Sequence, residues 1–175
     1  MSPPALSSPY NLNRLGQAGD EVSISATEEQ RAALAAFSGV LRIDSFEARV
    51  LLKKLSADRF HLDFRLNADL AQACVVTLGE VPERIERAFM RELHFNAALH
   101  RSPNLPEAED IPLDDELPEE IDSLHYDLAG PLIEEFLLAI EPYPRAAGVE
   151  FQPPEDGAKV PENPFAILKG LKSGL

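Results

Sequence analysis

The segment Arg59–Leu70, "RFHLDFRLNADL", alternates apolar and polar side chains without a break. Phe60, Leu62, Phe64, Leu66, Ala68 and Leu70 interleave with Arg59, His61, Asp63, Arg65, Asn67 and Asp69. Successive side chains of an extended chain point to opposite faces, so this run has one face for a core and one for water. A helix would scatter the same residues around its circumference. The chain is thereby committed to a half-buried sheet, and the remaining sequence must supply neighbouring strands and a cover for the apolar face.

The neighbours are legible in the same way. Upstream, "VLRIDSFEARVLLKKL" also alternates, but its apolar parity moves from Leu41 and Ile43 to Phe46, Ala48, Val50 and Leu52. A shift of one residue predicts a bulge or bend at Asp44 and Ser45. The short "SAD" turn between the two runs predicts a hairpin. Nearer the start, "SPYNLNRLG" and "DEVSISAT" read as short extended segments joined by a glycine-containing turn, with Val22 and Ile24 alternating against polar neighbours. Downstream, "VPERIERAFMRELHF" fits both periods: Ile85, Phe89, Leu93 and Phe95 suit a strand, and Ile85, Ala88, Phe89, Glu92 and Leu93 suit a helix. The adjoining sheet pattern and Pro82 favour the strand.

Two helices supply the cover. In "TEEQRAALAAFSG", Thr27 and Gln30 form a capping-box pattern, Gly39 follows the last apolar position, and Leu34 and Phe37 face inward. In "DLAGPLIEEFLLAIEP", Pro131 falls in the first turn, where its missing N–H costs nothing. Ile133, Phe136, Leu137 and Ile140 form one stripe, with Glu134, Glu135 and Glu141 opposite. Pro142 stops this helix and Pro144 keeps the exit extended. The expected fold class is α+β: an antiparallel sheet, open or partly closed into a barrel, with two main helices and a long acidic loop. Residues 1–148 are read as a single domain whose mobile acidic loop spans about 100–122. Residues 149–175 are read as a Pro-rich tail ending in a short amphipathic helix with Phe165, Ile167, Leu168 and Leu171.

The formal charge of −14 is uneven. From Ser102 to Pro144 there are thirteen Asp and Glu and no Lys or Arg, whereas the rest of the chain is close to balanced. Such a segment repels nucleic acid and attracts basic surfaces. The plainest reading is a solvated loop. The cations worth weighing lie in the hairpin and beyond it: Arg49, Lys53 and Lys54 with Arg59 and Arg65, then Arg84, Arg87 and Arg91. Several of these would share one outward sheet face, a candidate for contact with RNA phosphates. Glu47, Asp63 and Asp69 on the same face make a mixed, solvated surface the competing reading.

Catalytic and metal chemistry find no pattern. There is no phosphate-cradling glycine loop, no Gly-x-Ser-x-Gly and no His-Glu-x-x-His. His61 and Asp63 share a strand face but have no third ligand in their motif. "DDELPEEID" lacks the oxygen spacing and glycine bend of a calcium loop. Cys74, the one cysteine, reads as a small buried hydrophobe and is too few for a structural zinc. No apolar run approaches bilayer length, and "MSPPALSSPYNLNRLG" has no basic region followed by an apolar core. The expectation is a cytoplasmic protein with no cofactor, no metal and no membrane contact.

The order of features carries a resemblance: a Leu-Asn-Ala strand leading into "AQACVVTLGEVP", an acidic Pro-rich loop, "YDLAGPLIEEFLLAIEPYPR", and a closing "NPFAILKGLK". Together these resemble the YceD family, the large ribosomal RNA subunit accumulation proteins, most strongly over Ala71–Pro82 and Asp127–Arg145. Members often carry Cys-x-x-Cys in the first region and a second cysteine pair after the helix. Here Thr77 stands at the second cysteine, and Arg145 to Gly148 occupy the place of the later pair, so the metal role of four-cysteine members does not transfer. Pro142, Pro144 and packing by Tyr143 are expected to hold the helix exit against the strand end instead. The resemblance implies a non-enzymatic factor supporting large-subunit ribosomal RNA accumulation and large-subunit assembly. Its partners would be a large-subunit precursor, through a basic ribosomal protein or ribosomal RNA. Asp127, Leu128, Glu134, Glu135, Tyr143 and Arg145 are the candidate partner-binding residues, and Arg49, Lys53, Arg59 and Arg65 the candidate RNA contacts. Arg145 would also neutralise the C-terminus of the second helix. The rival is an acidic chaperone or inhibitor that masks one basic protein and never touches RNA.

Overall fold

The computed structural model describes residues 6–97 and 118–150. In chain order these form β1 (Pro9–Asn11), a single 3-10 turn (Leu12–Arg14), β2 (Asp20–Ser25), α1 (Glu28–Ser38) and β3 (Arg42–Lys54). Then come β4 (Arg59–Ala73), β5 (Glu80–Phe95), β6 (Glu119–Ile121), β7 (His125–Asp127) and α2 (Ala129–Ala139). The alternating run lies wholly within β4. Its apolar members are buried, with Phe60, Phe64 and Leu66 each 1% exposed.

One sheet is ordered β2-β3-β4-β5-β6, and β1 pairs with β7 in a separate two-stranded ladder. The predicted hairpin is present, with Val50 opposite Phe64 and Leu52 opposite Leu62, and the register shifts between Ile43 and Ser45, where the parity changed. Val81–Phe95 is strand, paired along its length with β4. The long β3, β4 and β5 ladders are antiparallel, but β6 joins β5 in parallel, Leu93 opposite Glu119. A parallel neighbour needs a long return connection, which residues 96–118 supply. The sheet is open, since β2 and β6 each have one neighbour, so it is not a closed barrel. Glu119–Ile121, expected within the acidic loop, are strand instead, because an alternating Ile121 buries against the end of β5. Residues 98–117 of that loop and the helix read near Phe165 lie outside the described residues.

Both helices form for local reasons. At α1, the Thr27 side chain accepts from Gln30 N at 3.3 Å and the Gln30 side chain accepts from Thr27 N at 2.9 Å, closing the capping box. Gly39 ends it in the left-handed region at φ 77°, where a side chain would be strained. At α2, Asp127 Oδ1 accepts from Ala129 N at 3.0 Å, supplying one of the donors that a helix start leaves open. The α2 stripe is wider than the sequence suggested, for Leu132 is buried with Ile133 and Phe136. Phe136 meets Phe46 of β3 edge-on, ring centres 5.5 Å apart, and Leu34 of α1 is fully buried in the same core. Each such side chain contributes about 1.5–3 kcal/mol when removed from water.

Candidate functional site

The two segments that carry the resemblance meet at one end of the domain. β4 runs out at Ala73, and Cys74–Gly79 turns back into β5, closed by Cys74 N donating to Gly79 O at 2.8 Å and Leu78 N to Cys74 O at 2.9 Å. The chain leaving α2 is bonded to that turn. Val75 N donates to Pro144 O at 2.9 Å, and Ala146 N donates to Cys74 Sγ at 3.4 Å. Pro144 is buried, which is the expected anchoring of the exit, but Tyr143 does not pack: it is 70% exposed. The anchor is thus the proline ring and two hydrogen bonds, with the tyrosine turned outward.

Cys74 is shut off from solvent, yet its sulfur is held by donors and not only by apolar packing. The Thr77 hydroxyl is the largest influence on it, followed by the amides of Ala146, Thr77 and Val76, and these pull the thiol from 9.0 down to about 6. The desolvation that opposes them is the smallest contribution. In this turn Leu78 has φ 58°, the one non-glycine residue with positive φ among the described residues, and its side chain is 78% exposed. A β-unbranched apolar residue held in the left-handed region costs about 1–2 kcal/mol. Val75 beside it is also exposed. The end of the domain thus presents Val75, Leu78 and Tyr143 on a backbone braced by the Cys74 hydrogen bonds.

Of the other sequence-predicted partner residues, Asp127, Leu128, Glu134 and Glu135 sit elsewhere and are engaged within the fold. Asp127 Oδ1 accepts from Ser8 N at 2.7 Å and Oδ2 from the Ser7 hydroxyl at 2.8 Å, stapling the N-terminal segment to the start of α2. Leu128 is completely buried. Glu134 lies 3.3 Å from Arg91 and Glu135 lies 3.6 Å from Arg87, two ion pairs that tie α2 to β5. Tyr126 donates toward Glu119 near the same arginine, and burial first, then Glu119, push its phenol well above the ordinary tyrosine range. Arg145 is exposed, six positions beyond α2, and forms no ion pair with a described residue. α2 has no basic residue in its last turn, so the expected neutralisation by Arg145 is not seen.

The basic sheet face is also redistributed. The β4–β5 register sets Arg87 opposite Leu66 and Arg91 opposite Leu62, which places both arginines on the helix-covered face. Only Arg84 of the β5 trio shares the outer face with Arg49, Lys53, Arg59 and Arg65. That face is mixed in charge. Arg49 pairs with Glu21 at 3.0 Å, Lys53 with Asp63 at 3.6 Å and Arg84 with Glu86 at 2.8 Å. His61 lies 3.1 Å from Asp63. Arg59 and Arg65 form no ion pair with a described residue. Sequence reasoning missed Val75 and Leu78 as surface residues, because the turn Cys74–Gly79 has no periodicity that separates outward from inward side chains.

These features define an α+β domain with an exposed apolar end and an open outer sheet face. No helix among the described residues is long and apolar enough to cross a membrane. No family model, no curated protein and no solved structure matches the chain.

Proposed function

We propose that this protein is a non-enzymatic factor that supports accumulation of large-subunit ribosomal RNA and assembly of the large ribosomal subunit, working by contact with a precursor particle. The observation that carries the reading is the junction of Cys74–Gly79 with Pro144–Ala146. The two segments on which the YceD resemblance rests are far apart in sequence, yet they are bonded together, and Val75, Leu78 and Tyr143 on them are each exposed. Backbone strain kept at an exposed apolar residue is costly for folding alone, and such outliers concentrate where a surface is used. The surface is small and apolar, suited to a protein of the precursor, and the acidic stretch from Ser102 to Pro144 steers a basic ribosomal protein toward it.

A second reading has one observation in its favour. The outer face mixes Glu21, Glu47, Asp63, Asp69, Glu86 and Glu92 with its cations, which suits an acidic protein-binding chaperone that masks a basic partner without RNA. Sucrose-gradient analysis of ribosomal particles separates the two. Depletion that lowers large-subunit RNA, with the protein itself in large-subunit precursor fractions, supports the assembly reading. An unchanged profile with the protein at the top of the gradient overturns it in favour of the chaperone.

A further inference from the structure

The outer sheet face carries a like-charge pair that the fold compensates on one side only. Arg49 and Arg65 stand directly opposite each other on β3 and β4, and the next residue across, on β5, is Ala88. Like charges opposed across a ladder destabilise it. Glu21 answers Arg49, but Arg65 has no carboxylate within ion-pair distance among the described residues. Both arginines line two neighbouring hollows of this face, and the pair is termed the arginine ridge. On one side is a hollow of about 490 Å³ with Leu51, Ala88 and Met90 as its apolar part and Asp63 and Glu21 on its walls. On the other is a polar hollow of about 360 Å³ lined by Ser23, Ser25, Glu47 and Asn67. Arg49 and Arg65 line both.

The register fixes this layout. Glu21, Leu51, Asp63 and Met90 form one row across the sheet, and Ser23, Arg49, Arg65 and Ala88 form the next. Rows on one face repeat about every 7 Å along the strands, close to the spacing of successive nucleotides in an extended single strand. Met90, half exposed, and Leu51 offer an apolar floor to the hollow. The small Ala88 keeps the hollow open beside the arginine ridge.

We propose that a single-stranded RNA segment binds across this face. One phosphate sits on the Arg49–Arg65 ridge, one base lies against Leu51, Ala88 and Met90, and the next base is hydrogen-bonded by Ser23 and Asn67. Every base has an apolar face that such a floor accepts, and a guanidinium pair meets a phosphate in a fixed fork geometry. The inference rests on the ribosomal reading only for where the RNA comes from. It assigns the contact to Arg49 and Arg65, and it leaves Lys53, paired with Asp63, and Arg59, at the hairpin end, outside the hollow pair.

The test is a fluorescence-anisotropy titration of the full chain with a labelled single-stranded RNA of about six nucleotides. The expected result is saturable binding that Arg65→Ala weakens about tenfold, with the slope of log Kd against log salt falling by nearly one. Met90→Ser, which removes the apolar floor without removing charge, is expected to weaken binding as well, and Arg84→Ala to leave it unchanged. Binding that is insensitive to both Arg65→Ala and Met90→Ser overturns the proposal. So does equal competition by polyglutamate, which would assign the ridge to an acidic protein segment. Oligonucleotide binding with an unaltered ribosome profile would remove the ribosomal reading and keep this site; an altered profile without oligonucleotide binding would do the reverse.

Discussion

Val75 N donates to the carbonyl oxygen of Pro144 at 2.9 Å, joining the turn after β4 to the chain that leaves α2. A metal bridge would achieve the same connection by coordination, and here a buried proline and backbone hydrogen bonds achieve it. Replacing Pro142 and Pro144 with Ala frees the unfolded chain and removes the buried ring at Pro144. The expected cost is about 1–2 kcal/mol, a fall of about 3–6 °C in melting temperature. An unchanged melt would show that the exit is held by other contacts.

Cys74 makes that junction sensitive to pH. Its folded pKa, about 6, lies below its ordinary 9.0, so the folded protein holds this proton more weakly than the unfolded chain does. Stability from the thiolate is therefore fully present above about pH 9 and is lost as pH falls through about 6. The difference in melting temperature between wild type and Cys74→Ser should grow from pH 6 to pH 9, and thiolate absorbance near 240 nm should titrate in the lower part of that window. A pH-independent difference, with absorbance rising only near the ordinary thiol value, would contradict the hydrogen-bonded thiolate.

Leu78 separates folding from use. Leu78→Gly relieves the left-handed strain and should raise stability by about 1 kcal/mol in chemical denaturation. The same change removes an exposed apolar side chain, so it should reduce the amount of protein in large-subunit precursor fractions, as should Tyr143→Ala with no change in stability. A variant that is destabilised, or that still cosediments fully, would mean that Leu78 serves the turn and not a partner.

The attachment of α2 rests on apolar contact more than on its ion pairs. Glu134 is well exposed although Arg91 is half-buried, so Glu134→Ala should cost less than about 1 kcal/mol. Phe136→Ala leaves a cavity against Phe46 and should cost about 3–5 kcal/mol. Urea denaturation of the two variants decides between these contributions, and comparable losses would assign the clamp to charge.

Asp127 should behave as a fold residue. Asp127→Ala removes the acceptor for Ser8 N, the Ser7 hydroxyl and Ala129 N together, with an expected loss of about 1–2 kcal/mol. Hydrogen exchange should quicken at Ser8 and Ala129 first. Unchanged exchange at both amides would remove Asp127 from this structural role.

What the sequence by itself determined is what depends on neighbours along the chain. The period of β4, the bulge beside Ser45, the Thr27–Gln30 cap, the Gly39 stop and the proline exit from α2 each follow from interactions spanning a few residues, and each is present. The helix-compatible spacing of Val81–Phe95 was resolved by its β4 partner, with which it pairs residue by residue as far as His94. What only the tertiary structure decided is pairing between distant segments. One residue of register separates an outward Arg87 from one bound to Glu135, because strand side chains alternate with a period of two. The parallel docking of β6, the β1–β7 ladder and the meeting of Cys74 with Ala146 likewise depend on where the shared core brings the chain ends. The candidate surface is of that second kind: of its residues only Tyr143 could be named from the sequence, and the exposure of Val75 and Leu78 was set by packing.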